Sequence, residues 1–495
     1  MSKILVESIG FEIRAAIIGA GRLEYLEIER THHRSLSGNI YKGLVVRVLP
    51  GLNAAFVNIG EEREAFLPLT DVRETSLFEE EISEERVEKK SSSHRRLKVK
   101  VGDQLLVQVV KDAIGTKGPK VTANNISLVG FLAVLLPNQS RRGISRRITN
   151  PEKRERFWKV ASEIVPDNLG FIIRTSTQNY QEKVLKAEMR KLLAAWEEVM
   201  VNFRRKPAPS LLRAEMALPL RILRDNLTTE VDEILVDSPF IFRSLKRRLM
   251  VAGLESKRLH LYRENIPLFT KFGVEEEIEK ILSRKVNLEN GGYITIEETE
   301  ALCAIDVNSG RTTGEDYQSM VLRTNLAAAE EIAWQLRLRN LGGLIVIDFI
   351  DMEKAEDRRR VYQAFEKALE PDKARVKLLR FSKFGLVEMT RQRTRESIRD
   401  YLADDCPTCS GRGVVLSVET AAAQLRRSLQ WQISSSRGLL RIPSQKKFNI
   451  RVSSQLEEYL KKNFRLLFPE RIYQTRINLI VDHTFLPYQF RIMGE

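Results

Sequence analysis

The sequence predicts a multidomain α/β protein with a small β-barrel set into its first third, and three observations predict it. The chain has 495 residues, too many for one hydrophobic core, so several domains are expected. Between Asn39 and Asn125 it is rich in short strand-like runs. Between Gly291 and Asp351 two apolar strands flank a long helical stretch, the order of a parallel crossover.

Taken from the amino terminus, Met1 to Gly19 alternates charged and apolar residues and reads as strands, with no basic segment leading into an unbroken apolar one, so no signal peptide is expected. GLVVRVLPGL, AAFVNIG, EAFLPL and QLLVQVVKD are short β-type runs punctuated by Gly, Pro and charged turns. Strands of that size suggest a barrel of the OB type, with a long charged loop from Phe78 to Lys98. Asn179 to Arg205 has helical spacing and stops before Pro207 and Pro209; Ser210 to Thr228 reads as a second helix leading into the strand EILVDS. After Arg393 a helix runs toward Asp404-Asp405-Cys406. The last stretch, Phe448 to Glu495, mixes the strands NIRVS, INLIVD and YQFRIM with a helix at Ser454 to Asn463.

Composition narrows the partners. Lys and Arg number 81 against 66 Asp and Glu, a formal charge of +15, which favours a polyanion: RNA, DNA or an acidic membrane surface. No apolar run approaches the roughly 20 residues that span a bilayer, so no membrane partner is expected. Three Cys make a disulfide framework improbable and suit a reducing cytoplasm.

The chemistry centres on two aspartates. ALCAIDVNSG is an apolar strand that reaches Asp306, followed by Asn308 and Gly310. Leu322, Leu326, Ala329, Ala333 and Leu336 then recur at helical spacing, and Gly342-Gly343 supplies a stop. LIVIDFIDM follows as an unbroken apolar run to Asp348, as expected of a central strand buried on both faces. In a parallel crossover Asp306 and Asp348 share the carboxyl edge of the sheet, where open α/β folds bind ligands. Two carboxylates there repel unless a cation lies between them, and Mg²⁺ commonly takes one or two carboxylates while keeping several waters. Such a metal activates water toward a phosphodiester, and Asn308 is placed to orient a carboxylate or the water. A lone Asp after a strand is more often a cap or a turn residue; a pair on one edge of a basic protein favours the metal site. Asp351 reads as the cap of the following helix. The five His fall in no paired spacing, which weakens a route through the RNA 2′-hydroxyl.

CPTCSGRG places Cys406 and Cys409 in a knuckle. A structural Zn²⁺ takes four ligands, and the chain has no second CxxC and no His pair. A Cys₄ site shared by two chains is the economical solution and predicts a homodimer; a redox dithiol and a pair of idle thiols are the alternatives. Cys303 reads as a core residue.

The blocks AIDVNSGR, RLRNLGGLIVIDFIDM, KFGLVEMTRQR and CPTCSGRG, in this order and spacing, resemble the ribonuclease E/G family, with a likeness reaching from residue 1 to about residue 415. The resemblance implies a Mg²⁺-dependent endoribonuclease of single-stranded RNA, acting on rRNA precursors and mRNA, with preference for 5′-monophosphorylated ends. It implies an RNase H-like domain (1–36 and 216–280) interrupted by an S1 barrel of OB type (37–125) and a 5′-sensor region (126–215). A DNase I-like catalytic domain (281–400), a zinc-link (401–416) and a small C-terminal α+β domain (417–495) follow. Asp306 and Asp348 match the family's Mg²⁺-binding catalytic aspartates and Asn308 the supporting Asn. Cys406 and Cys409 match the zinc-link between subunits of a homodimer, whose pairing into tetramers stays open. Phe56, Phe66 and Lys117 match RNA contacts of the barrel, although barrel core is an equal reading for both Phe. Arg174 and Thr175 match the residues that hold a 5′-monophosphate, with Gly130 and Val134 as the other wall; Ser176-Thr177-Gln178 departs from the commoner pattern after them. Arg146 and Arg375 match basic residues near the cleavage point. No long tail like that of the larger members is expected, and the segment after Val415 has no functional reading. A non-catalytic RNA-binding or ribosome-assembly factor, and a DNA nuclease, are the rival readings.

Overall fold

The computed structural model describes residues 2–32, 34–69, 98–113, 115, 117–226, 231–254, 257–310, 317–393, 397–404, 406–409, 411, 413–435, 447–467 and 476–493. They fall into two units, Met1–Leu402 and Ala403–Glu495.

The first residues form an antiparallel meander of β1 (Ser2–Ile9), β2 (Glu12–Gly19) and β3 (Arg22–Arg30). Ile4, Val6, Ala15 and Ile17 enter one buried cluster and Leu5, Ala16, Ile18 and Leu26 another. The sheet is therefore covered on both faces. Next come β4 (Ile40–Leu49), β5 (Ala54–Asn58), β6 (Ala65–Pro68), β7 (Gln104–Lys111) and β8 (Lys120–Thr122). Pairing β4-β5-β6-β8-β7 and back to β4 closes a five-stranded barrel, filled by Val45, Ala55, Val57, Ala65, Leu67, Val107 and Val121. Closure pairs the barrel strands with one another and leaves the start of β4, before its pairing with β5 begins at Leu44, open on one side among the described residues. The charged loop expected at Phe78 to Lys98 lies, except for Lys98, outside the described residues.

A small sheet follows, ordered β11-β12-β10-β9, from β9 (Leu128–Val129), β10 (Ala133–Leu136), β11 (Arg142–Ile144) and β12 (Gly170–Ile173), with α1 (Pro151–Ile164) and α2 (Glu182–Arg205) against it. The helix expected over Ser210 to Thr228 is corrected: the chain forms β13 (Ser210–Arg213), then α3 (Leu218–Asn226). β13 pairs with Ile40–Lys42 of β4, a long-range partner that local spacing does not register. β14 (Val231–Val236), α4 (Pro239–Ala252) and β15 (Leu259–Leu261) return to the first sheet. β14 lies parallel to β1, giving the order β15-β14-β1-β2-β3.

After α5 (Leu268–Lys271) and α6 (Val274–Leu282) come β16 (Lys285–Asn287), β17 (Tyr293–Glu298), β18 (Leu302–Asn308), α7 (Tyr317–Leu338), β19 (Gly343–Asp348), α8 (Ala355–Leu369), β20 (Val376–Leu378) and β21 (Leu386–Arg391). The six strands form one sheet, β16-β17-β18-β19-β21-β20, in which β18 and β19 are the parallel pair. β19 is central but not buried on both faces. Ile345 and Ile347 join Ile305, Val307, Val387 and the apolar faces of α7 and α8, whereas Leu344 on the other face is 44% exposed. Among the described residues, helices α7 and α8 pack on this one side. The stop of α7 is also set earlier than the Gly pair: Asn340 takes the left-handed conformation at φ 53°, and the Leu341 N–H closes on the Leu336 carbonyl at 3.0 Å. The helix after Arg393 is one turn and a little more, α9 (Ile398–Leu402).

In the second unit α10 (Val418–Ser435) and α11 (Ser454–Lys462) cover one face of the sheet β23-β22-β24, formed by β22 (Lys447–Val452), β23 (Arg476–Val481) and β24 (Phe490–Met493). A short α12 (Phe464–Leu467) follows α11. Among the described residues no helix is long and apolar enough to cross a membrane.

Candidate functional site

The parallel register of β18 and β19 makes Asp306 and Asp348 direct Cα partners. Strand alternation decides where they point. Ile305 and Val307, like Ile347, face the helices, so both aspartates stand on the uncovered side, and both are exposed. Asn308 donates from Nδ2 to Asp306 Oδ2 at 2.7 Å, fixing that carboxylate. Partial desolvation, Asp306 and Asp351 together push the Asp348 carboxyl above its ordinary pKa. Asp351 is thus a third member of the acidic group. It does not cap α8, whose N-cap is Lys354 with no side-chain hydrogen bond.

Three further features hold this edge. Asn325 of α7, fully buried, donates to the Ile350 carbonyl at 2.8 Å and accepts from the Ile350 N–H at 3.0 Å. It thereby fixes the chain between Asp348 and Asp351. Gly310, at φ +66°, passes so close to the Gly291 carbonyl that a Cβ would sit 2.2 Å from it, and this keeps the turn after Asn308 against the start of β17. On the far side Leu386 is the Cα partner of Asp348, and the preceding turn, Ser382 to Gly385, runs along the acidic edge. Asn325 carried a sequence signal, a polar residue inside the apolar stripe of a helix. The turn carried none beyond its block.

The donor set suits a hard divalent cation: two carboxylates held side by side, a third beside them, and repulsion among them that a cation would relieve. Among the described residues no group of three or more His, Cys, Asp or Glu side chains is gathered closely enough to coordinate an ion on its own, so water and substrate would supply the remaining ligands.

The residues read as RNA contacts fall on the barrel's outside. Phe56 and Phe66 are Cα partners on β5 and β6, half-buried, and absent from the barrel core. Their rings meet edge-to-face at 5.9 Å, and Arg47 lies over Phe56 at 4.5 Å. Of the two readings left open by the sequence, the core one is removed. Lys117 is exposed and follows the β7 end of the same barrel.

Arg174 follows β12, its side chain only 13% exposed. Nη1 donates to the Gly130 carbonyl at 2.8 Å and Nη2 to Asp225 Oδ1 at 3.1 Å. Burial lowers the Arg174 pKa, against the pull of Asp225. Asp225, which burial alone would raise, is instead held down to about 2 by the fork of Arg224, then by Arg174 and Lys373. Thr175 shares a hydrogen bond with Ser145 at 2.8 Å. Gly130 sits where a Cβ would strike Glu188, whose Oε1 accepts the Leu132 and Ala133 N–H groups at 2.6 and 3.1 Å. Val134 is fully buried with Leu136 and Ile172, so it supports this wall from beneath. Arg146, exposed, adjoins Ser145 and so belongs spatially with Thr175. Arg375, also exposed, precedes β20. Two residues before it, Lys373 donates to the Asp225 carbonyl at 3.2 Å and to Asn226 Oδ1 at 2.7 Å, tying the Arg174 region to the sheet that carries the aspartates.

In the second unit Cys406 is exposed and Cys409 partly so. The backbone N–H groups of Cys409 and Thr408 lower the Cys406 pKa, favouring a thiolate, the form that ligates metal.

The fold and this site define a multidomain α/β protein with an acidic pair at the edge of a mixed sheet and a closed five-stranded barrel. The family model for the Ribonuclease E/G family matches residues 127–394. The chain is 42% identical to ribonuclease G of Escherichia coli (strain K12) over 433 residues, covering 86% of this chain and 87% of that one. It is 41% identical to ribonuclease G of Haemophilus influenzae over 420 residues, covering 84% and 85%. Ribonuclease E of Escherichia coli (strain K12) is 39% identical over 427 residues, 85% of this chain and 39% of that longer one. The chain belongs to the ribonuclease E/G family.

Proposed function

We propose that the chain is a Mg²⁺-dependent endoribonuclease that cuts single-stranded RNA to 5′-phosphate and 3′-hydroxyl ends, acting in the cytoplasm in rRNA maturation and mRNA turnover. The observation that carries this reading is the side-by-side register of Asp306 and Asp348 on the open face of the sheet; relatives named ribonuclease G and ribonuclease E over most of the chain support it. The strand order β3-β2-β1-β14-β15 supports reading that sheet as RNase H-like, with the barrel as an inserted S1 domain and the sheet from β16 to β21 as a DNase I-like catalytic domain.

Asp306 and Asp348 would hold the cation, with Asn308 keeping the Asp306 carboxylate turned toward its neighbour. A divalent ion bound there supplies Lewis acidity toward the phosphodiester and lowers the pKa of water. Phe56 and Phe66, with Arg47 and Lys117 beside them, present apolar and cationic surface on which bases stack and phosphates rest; stacking is worth about 1–3 kcal/mol per base and is indifferent to sequence. The test is cleavage of an end-labelled AU-rich RNA with Mg²⁺. Internal cuts that vanish with EDTA and return with Mg²⁺ support the reading, whereas binding without cleavage supports the non-catalytic alternative.

Arg174 and Thr175 are the 5′-monophosphate site of this reading. A guanidinium aimed by Gly130 and Asp225, with a hydroxyl beside it, suits one phosphate dianion. Arg174→Ala should slow cleavage of 5′-monophosphorylated RNA roughly 10-fold or more, the scale of a charge-assisted bond, and leave 5′-hydroxyl RNA unaffected. Equal slowing of both substrates would sink the assignment.

Cys406 and Cys409 would supply two thiolates to a zinc completed by the same pair of a second chain. Wild-type protein should then carry about one zinc for every two chains and scatter light as a dimer. Cys406→Ser should lose both zinc and dimer. A zinc-free wild type of unchanged mass would remove the idea.

A further inference from the structure

No large apolar side chain among the described residues is as exposed as Phe384, at 88%. It sits at the edge that carries the acidic group. Leu386, two residues on, is the Cα partner of Asp348, and Gly385 between them lies against Asp351, where an added Cβ would meet Oδ1 at 3.4 Å. We propose that Phe384 is a stacking platform for a base of single-stranded RNA next to the phosphate being cut, a positioning residue for the cleavage; this rests on the endoribonuclease reading.

The turn is built to present the ring. Ser382 Oγ accepts the N–H groups of Phe384 at 3.2 Å and Leu386 at 3.3 Å. The Gly385 N–H reaches the Ser382 carbonyl at 3.2 Å, and the Ser382 N–H reaches the Leu386 carbonyl at 2.8 Å. Gly385 takes φ +81°, which a β-carbon would strain. The aromatic is therefore held out in water by a fixed backbone and not by a loose one, so little order has to be created when a base arrives. Its neighbour Phe381 packs inward on Phe349, with rings 5.8 Å apart, so the turn separates one anchoring ring from one displayed ring. Exposed Lys383 and Arg380 flank it with positive charge suited to the adjoining phosphates. An unpaired base offers a ring face to such a platform, whereas a paired base in a duplex hides its faces in the stack. Phe384 thus contributes to the choice of single strands and fixes the backbone in line with Asp306 and Asp348.

The experiment uses the full chain and RNAs cut at one known position, with an abasic nucleotide placed in turn at each site flanking the cut. Phe384→Ala should raise KM about 10-fold, a magnitude set by one stacked base, and Phe384→Trp should restore it. One abasic position should bring the wild type to the level of Phe384→Ala, with no further loss when the two are combined. In parallel, 2-aminopurine at that position should be quenched on binding to Asp348→Asn protein and stay bright with Asp348→Asn carrying Phe384→Ala as well. This binding arm needs no cleavage, so an inactive wild type overturns the endoribonuclease reading separately. A Phe384→Ala protein equal to wild type, one slowed equally on every abasic RNA, or one changed in oligomeric mass would overturn the stacking role.

Discussion

Asp348→Asn should abolish cleavage, by on the order of 10³-fold or more, while the folded protein becomes no less stable at neutral pH. The rate loss follows from removing one of two carboxylates that would hold the ion, whose Lewis acidity is worth several kcal/mol in the transition state. The stability expectation follows from the direction of the Asp348 shift. Its folded pKa is raised by desolvation, Asp306 and Asp351, so the ionised group opposes folding. Stability from this group is fully present below its unfolded pKa and is lost as pH rises through its folded pKa. In EDTA, Asp348→Asn should therefore melt at or above the wild-type temperature at pH 7, with the difference fading as pH falls toward the carboxylate range. Added Mg²⁺ should raise the melting temperature of the wild type and leave the variant's unchanged. A variant that melts well below wild type in EDTA at pH 7 would show that Asp348 is structural.

Arg391→Met should cost about 3–5 kcal/mol, the scale of a buried pair broken on one side. Arg391 of β21 forks onto Asp372, Nε to Oδ2 at 2.7 Å and Nη2 to Oδ1 at 3.1 Å, with side chains only 4% and 3% exposed. Its Nη1 also donates to the Leu341 carbonyl at 2.6 Å, just after α7. One guanidinium therefore joins the end of α7, the connection between α8 and β20, and the end of β21, and with them the register that sets Leu386 opposite Asp348. Truncating it leaves the buried Asp372 carboxylate without its cation, although Oδ1 still accepts the Ala374 N–H at 2.9 Å. The paired change Arg391→Met with Asp372→Leu should recover most of the loss in urea-midpoint measurements; a double variant no better than the single one would assign the cost to the Leu341 contact.

The acidic pair was legible because strand periodicity and a parallel crossover together fix an edge, and two Asp at homologous strand positions then meet without further information. The barrel was legible from run length and punctuation. Much else depended on contacts far apart in sequence. Ser210 to Arg213 has helical-looking neighbours and becomes a strand because β4 offers it a partner. The LIVID run looks doubly buried, yet only Ile345 and Ile347 meet helices, since coverage of a sheet face is a property of the helices' packing. Asp351 and Phe384 were hidden for a similar reason. Asp351 reads as a cap until the turn held by Asn325 sets it beside Asp348, and Phe384 has no local signal until the β19–β21 register brings its turn to that edge. Phe56 and Phe66 remained ambiguous until the register of β5 and β6 placed their rings on the outer face.

The strand order of the first sheet also sets a timetable for synthesis. β1 cannot complete its pairing until β14, more than 220 residues later, has left the ribosome, roughly 10–45 s at about 5–20 residues per second. The barrel, closed by residue 122, needs nothing downstream of itself except the β13 addition. The nascent chain therefore carries a finished barrel while the apolar edge of its own first strand waits uncovered. Interruption between residues 125 and 230 leaves that edge open to wrong pairing.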